Sequence, residues 1–208
     1  SANIILFDTP DLGTPLRYKV IERNGIKVAV TSILGKTYSE EVAPPAGVTA
    51  DYKIEAAEKV LPEVIKQMME EKPDLMVLLS QATEKESEEL AKQFPEFQIV
   101  VTAEGVEDGE IKPREIGKTW VVVAGAKGKH LAAIGYFKSG PMKYELIELD
   151  NQRFGETPQM RELMKAYQDQ LQSQEIDLNV TTIAHTRETG FVGAQKCGEC
   201  HTKAFAKW

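Results

Sequence analysis

Apolar positions along the chain gather into short continuous runs separated by polar, turn-rich stretches, and only later into a helical stripe. The runs ANIILF (2–7), IKVAVTSI (26–33), DLMVLLS (74–80) and FQIVVTA (97–103) predict strands. The last two are apolar at nearly every position, as strands covered on both faces must be. IKVAVTSI is entered through Asn24-Gly25 after LRYKVIER, so residues 16–32 predict a hairpin with a tight turn. Residues 51–72 carry Ile54, Ala57, Val60, Leu61, Val64, Ile65 and Met68 at helical spacing. Pro62 inside that stretch is expected to kink the helix or split it in two. TEKESEELAKQF, between the third and fourth strands, predicts another helix, with Thr83 and Glu86 matching a capping box and Leu90 and Phe94 four apart.

TWVVVAGAKGKHLAAIGYF and KYELIEL alternate well enough for three more strands, with Gly125 and Gly128 around the first turn and Gly140-Pro141 at the second. A β-α-β-α-β series that ends in antiparallel strands implies an α/β fold, a mixed sheet flanked by helices. After Asp150 the pattern changes. Thr157-Pro158 marks a helix start. Met160, Leu163, Met164, Tyr167 and Leu171 then form one stripe along about four turns. Residues 173–195 are polar with little periodicity and predict a tether. There is no internal repeat and no low-complexity tract. Three parts follow: 1–150, an α/β domain; 151–180, an amphipathic helix and linker; and 181–208, a segment bearing the cysteines.

A chain of 208 residues is long enough for one compact α/β domain plus an appendage, with a core that needs no disulfides. The net charge of −7 argues against a nucleic-acid surface or an anionic membrane as partner. The longest apolar runs, around LMVLLS and WVVVAGA, fall short of a membrane span. The chain opens at Ser1, which is compatible with removal of an export signal or a further upstream domain. Cysteine usage therefore carries the evidence on compartment.

Both cysteines, Cys197 and Cys200, stand in GAQKCGECHTKAFAKW with His201 directly behind them. Two thiols at this spacing can add to the two vinyl groups of one haem while the adjacent imidazole coordinates iron. Three other readings stay open. The motif could be half of a zinc site, for which His185 is available but no second cysteine pair exists. It could be a redox dithiol, although that usually sits at a helix start after a strand. It could also be a pair of structurally neutral cysteines.

The flanks narrow the choice. FVGAQKCGECHTKAFAKW resembles the first haem-binding segment of a multihaem cytochrome c family, with Phe191, Val192, Gly193, Cys197, Cys200, His201 and Trp208 on the pattern. The resemblance implies that Cys197 and Cys200 are the thioether residues, His201 is the proximal iron ligand, and further motifs of a truncated cytochrome domain lie beyond Trp208. The distal ligand is not assigned by it. His130 and His185 are present, but a lone histidine is more often structural or solvated.

The first 150 residues resemble the second half of the metallophosphoesterase domain of 5′-nucleotidases, through LRYKVIERNGIKVAVTSILGK, PDLMVLLSQATEKESEELAKQFPEFQIVVTAEG and TWVVVAGAKGKHLAAIGYF. That resemblance implies a mixed-sheet sandwich flanked by helices, of the calcineurin-like phosphoesterase type and partial here. The metal-binding residues depart from the pattern. Where the family has a histidine after the third strand, Ser80 is followed by Gln81; where it has two more after the next strand, the chain has Glu104 and Val106. A two-metal centre needs ligands that hold both ions a few ångströms apart. A neutral amide is a poor substitute and valine cannot ligate, so Gln81 and Glu104 mark a degenerate site. The remaining motifs would lie upstream of Ser1.

GAKGKH (125–130) lacks a full phosphate-loop pattern and is expected in a hairpin. Glu104, Glu107, Asp108 and Glu110 share one loop and could hold a hard cation such as Ca²⁺, or could simply form a solvated acidic turn. These observations lead to two readings. The first is a bacterial extracytoplasmic electron-transfer protein with covalent haem c, redox partner proteins and a catalytically disabled phosphoesterase-like scaffold. The second is a metal-dependent phosphoester or nucleotide hydrolase, or a ligand-binding domain, whose remaining site lies upstream. A pocket near Gln81 and Glu104, at the carboxyl ends of the strands, would accompany the ligand-binding form.

Overall fold

The computed structural model describes residues 1–7, 15–43, 50–102, 107–174 and 193–206. The chain divides into two compact units, Ser1–Gly155 and Glu156–Trp208.

The first unit is built on a six-stranded mixed sheet. Its strands are β2 (Tyr18–Arg23), β3 (Ile26–Leu34), β5 (Leu75–Gln81), β6 (Ile99–Thr102), β7 (Arg114–Ile116) and β8 (Thr119–Val123), in the order β2-β3-β5-β6-β8-β7. The four inner strands are parallel, and β2 and β7 run antiparallel at the two edges. Arg23 pairs with Ile26 across the β2–β3 turn, where Asn24 and Gly25 both take positive φ, 51° and 72°. Those values are the ones a two-residue hairpin turn requires, and asparagine and glycine tolerate them best. The hairpin expected from this dipeptide is therefore present.

Two helices cover one face of the sheet: α2 (Ala57–Glu70), which precedes β5, and α3 (Glu84–Gln93), which links β5 to β6; the short α1 (Lys36–Glu41) follows β3 and buries no residue. Leu61, Val64 and Met68 of α2 and Leu90 and Ala91 of α3 share a buried cluster with Ala29, Met76, Leu78, Val100 and Val121 of the sheet. Alternate residues of the same strands, Leu75, Val77, Ile99, Trp120 and Val122, face the other way. They meet Ala132, Ile134 and Tyr144 of the hairpin β9 (His130–Gly135) and β10 (Lys143–Glu148). The expected mixed sheet flanked by helices is thus observed, with the β9–β10 hairpin as a second layer.

Three local expectations need correction. Residues 52–54 form not helix but β4 (Tyr52–Ile54), which pairs with β1 (Ile4–Leu6) in a separate ribbon. Their side chains are mostly exposed, and the backbone hydrogen bonds go to β1 instead of a helix. Pro62 does not split α2, which runs unbroken for 14 residues. One lost backbone bond costs about 3 kcal/mol, less than the burial of several large apolar side chains on one stripe returns. GAKGKH does not close a hairpin: β8 belongs to the main sheet and β9 to the second layer, so the segment crosses between layers.

In the second unit, α4 (Pro158–Ser173) starts at Thr157, whose Oγ1 accepts the Met160 N–H at 3.4 Å, with Pro158 at the first helical position. No residue of this helix is buried, and the stripe from Met160 to Leu171 is exposed. Two short helices follow, α5 (Gly193–Gly198) and α6 (Thr202–Phe205). Among the described residues, no helix is long and apolar enough to cross a membrane.

Candidate functional site

Parallel strands converge their carboxyl ends on one edge of a sheet, and the loops that leave them frame the usual ligand position in open α/β folds. Here that edge is formed by Leu34 of β3, Gln81 of β5 and Thr102 of β6. The loop polar groups behind it are used internally. Gly35 N–H donates to the Gln81 carbonyl at 2.7 Å, and Thr102 Oγ1 donates to the Ala82 carbonyl at 3.0 Å. The Ser80 and Ser87 hydroxyls are bonded to each other at 2.9 Å in a buried position. Thr83 caps α3 as expected, its Oγ1 accepting the Glu86 N–H at 3.2 Å. The Glu86 carboxylate crosses to the Lys36 N–H at 2.8 Å and so caps α1.

On the second face, the β9–β10 hairpin packs with Val28, Leu75, Val77, Ile99 and Trp120, and Leu79, nearer the carboxyl end of β5, is not in that cluster. A hollow of about 420 Å³ remains there, lined by Ile4, Ser32, Leu34, Leu79, Gln81 and Val101 among others. Leu79 is 44% exposed although it sits in an apolar run that reads as fully covered. Gln81 lies on the wall of this hollow, at the place where the ligand-binding reading puts a pocket near Gln81 and Glu104. Glu104 and Val106 lie outside the described residues. The lining is mostly apolar, with the Gln81 amide and the Ser32 hydroxyl among its neutral polar groups. That composition suits a flat organic group better than a cation. Among the described residues no three His, Cys, Asp or Glu side chains come together in a way that could hold a metal ion.

The acidic loop already has cationic partners. Glu107 accepts from Lys129 at 2.6 Å and Lys127 at 3.3 Å, and the hydrogen bond from Lys129 holds its carboxyl below the ordinary range. Arg114 reaches Glu84 at 2.6 Å, Glu88 at 2.8 Å and, by a third contact, Glu110. Those carboxylates hold its guanidinium firmly charged. Glu107 and Glu110 are thus ion-paired, which favours the structural reading of this loop over a cation site. His130, at the start of β9, accepts the Gly109 N–H through Nδ1 at 3.5 Å, a structural role in the same corner.

The cysteine motif occupies the corner between α5 and α6. Cys197 is in the last turn of α5, and its carbonyl accepts both the Cys200 N–H at 3.3 Å and the His201 N–H at 2.9 Å. The His201 carbonyl accepts the Phe205 N–H at 2.9 Å. Cys197, Cys200 and His201 are all exposed. Cys200 and His201 line a hollow of about 350 Å³ with Thr202 and Lys203. His185, Phe191, Val192 and Trp208 lie outside the described residues. No motif or periodicity points to Gly198 and Phe205, which pack on each other here: a Cβ on Gly198 would lie 2.8 Å from Phe205 Cγ.

Comparison with known proteins finds a shared fold without a shared sequence family. No family model matches the chain. No curated protein matches it either. Among solved structures, the sulfate thiohydrolase SoxB of Thermus thermophilus in complex with glycerol aligns with a TM-score of 0.67 at 21% identity, over 83% of this chain and 32% of that one. The 5′-nucleotidase precursor of the same organism aligns with a TM-score of 0.64 at 16% identity, over 85% and 38% of the two chains. The NAD nucleotidase NadN of Haemophilus influenzae aligns with a TM-score of 0.63 at 13% identity, over 83% and 45%. The chain thus spans a third to under a half of the length of these structures. At such identities the likeness is one of fold, and it agrees with the mixed α/β architecture expected from the sequence.

Proposed function

We propose that the Ser1–Gly155 unit is part of a phosphoester- or nucleotide-hydrolase-type protein, in which it contributes a ligand-binding wall and not the metal centre. The observation that carries this reading is the hollow at the carboxyl ends of β3, β5 and β6, in a fold shared with two nucleotidases and a sulfate thiohydrolase. Apolar walls with an amide and a hydroxyl match the base and ribose of a nucleoside, and a volume near 420 Å³ lies within the usual range for small-molecule sites. A metal-activated water, by contrast, needs a set of anionic or imidazole ligands that Gln81 does not offer. Adenosine 5′-monophosphate is the probe. At a concentration about 100 times its Kd it should stabilise the chain by about 2.7 kcal/mol in urea denaturation, an effect that Leu79→Arg abolishes. No phosphate should be released when Mn²⁺ is added. An unchanged urea midpoint overturns the binding role, and Mn²⁺-dependent hydrolysis overturns the division of labour.

A second reading rests on the exposed Cys197–Cys200–His201 corner: covalent attachment of haem c and electron transfer to redox partner proteins. The residues suit that group. Both thiols are exposed three positions apart on a turn, and the imidazole opens onto the same hollow as Cys200. Each thiol would add across one vinyl group, its sulfur bonding to one carbon and its hydrogen passing to the other, with no oxidant or reductant consumed. His201 would ligate the iron, and the bound haem would supply a reversible one-electron couple. Attachment requires reduced thiols and machinery outside the cytoplasm, so the reading goes with a bacterial periplasm or cell surface. The test is a haem stain of the denatured chain after export with that machinery. Stain that survives denaturation and is lost in the Cys197→Ser/Cys200→Ser variant supports it. An unstained wild-type chain overturns it, and zinc at one ion per chain would point to a Cys-Cys-His metal site.

A further inference from the structure

Gly198 is the last residue of α5 and stands between the two cysteines of the motif. It is absent from the glycines with positive φ, so the backbone there would accept any residue. What it cannot accept is a side chain. A Cβ at this position would meet Phe205 Cγ at 2.8 Å, Cδ1 at 3.0 Å and Cδ2 at 3.1 Å, below normal carbon–carbon contact. The atoms met include the root of the ring and not only its tip, so the whole phenyl group would have to leave. Phe205 is itself 43% exposed, and its amide is bonded to the His201 carbonyl. The ring of α6 thus lies against the bare Cα of Gly198 in α5, while the Phe205 backbone is tied to His201.

We infer that Gly198 and Phe205 form a positioning lock for the Cys197–Cys200–His201 corner, fixing the α5–α6 angle before a porphyrin arrives. The identification of the porphyrin rests on the haem reading above; the lock itself does not. Three backbone hydrogen bonds close the corner beside this pair: the Cys197 carbonyl accepts two N–H groups and the His201 carbonyl one. Setting the imidazole and the thiols in advance removes orientational freedom that attachment would otherwise have to freeze. The sign of a substitution separates this role from plain helix stability. Alanine has the higher helix propensity, so Gly198→Ala should strengthen α5 taken alone. The lock predicts the opposite at the corner.

The experiment uses the full 208-residue chain with Gly198→Ala, Phe205→Ala and the double variant. In the haem-free protein, amide hydrogen exchange at His201 and Phe205 should speed up about tenfold in Gly198→Ala, the size expected when a tight contact costing a little over 1 kcal/mol is forced apart. Phe205→Ala should give the same acceleration, and the double variant should add nothing, because a methyl at position 198 has no ring to displace. With attachment machinery, covalent haem per chain should fall in parallel in both single variants, and reduction potentials should shift by the same amount. Unchanged or slower exchange in Gly198→Ala overturns the lock, as does full additivity in the double variant. A wild-type chain that never stains for haem overturns the haem reading alone, and the exchange result still decides the lock.

Discussion

Asp74 shows how one residue can tie three segments together. Its Oδ2 accepts the Lys27 N–H at 2.8 Å, Lys138 approaches its Oδ1 at 3.3 Å, and its carbonyl accepts the Tyr136 hydroxyl at 3.0 Å. It thereby joins the start of β3, the start of β5 and the segment that follows β9. The Lys27 N–H, above all, holds the carboxyl below the ordinary aspartate value of 3.8. A carboxyl depressed on folding stabilises the native state at pH above its unfolded value, and that contribution drains away as pH falls through the folded value. The urea midpoint of the wild-type chain should therefore drop more between about pH 5 and pH 2 than that of Asp74→Asn. Asparagine can still accept from Lys27 N–H but has no proton to gain. Equal drops would mean that the carboxylate contributes through shape alone. Gly35 makes a similar point about space: a Cβ there would collide with Ala82 Cβ and lie 2.6 Å from Glu86 Oε2. The loop after β3 and the loop after β5 can touch, and Glu86 can cap α1, only because the side chain is missing.

Among the elements, α2 carries the clearest internal conflict. Pro62 is exposed, so it contributes nothing to the core, yet it withholds an N–H from the Glu58 carbonyl one turn earlier. Pro62→Ala should raise the stability of the chain by about 1–2 kcal/mol, the restored bond and relieved ring contact exceeding the extra freedom gained by the unfolded chain. Chemical denaturation monitored by far-ultraviolet circular dichroism checks this, and a lower midpoint would show that the helix depends on the proline. The elements most legible in the sequence were those whose side chains meet two layers or one. DLMVLLS and FQIVVTA form inner strands because helices cover one face and the hairpin the other. Ile54 misled because one apolar residue preceding Ala57 extends a helical pattern backwards at no visible cost, while pairing with β1 is a contact between distant segments. The three-residue strand β7 has too few positions for any period to show. At the candidate site, Gln81 stands out through the resemblance, because it follows Ser80 where the 5′-nucleotidase pattern has a histidine. A hollow beside it is expected with the ligand-binding reading, but its walls are not legible, because only the second layer decides that Leu79 stays uncovered.

At the scale of the whole molecule, the first unit has a sheet whose inner pairings are all parallel, and each therefore spans a helix or a long loop in sequence. Val28 pairs with Leu75, for example, across the whole of α1, β4 and α2. The sulfur chemistry, in contrast, is confined to one corner of the second unit and depends on contacts a few residues apart. The two units thus differ in kind: one is held by long-range register, the other by local turns. The register has a consequence in time. The Asn24-Gly25 turn can close β2 on β3 within about 1–10 μs, whereas the parallel pairs must wait for far costlier loop closures. β3 then enters the slow step already straightened and paired on one edge, a template onto which β5 docks once α2 has formed. Gly25→Ala, which places a methyl group at a φ of 72° in otherwise open space, should slow refolding while leaving unfolding nearly unchanged, as stopped-flow kinetics would reveal. A two-residue turn at the rim of the sheet would then set the pace at which its centre is assembled.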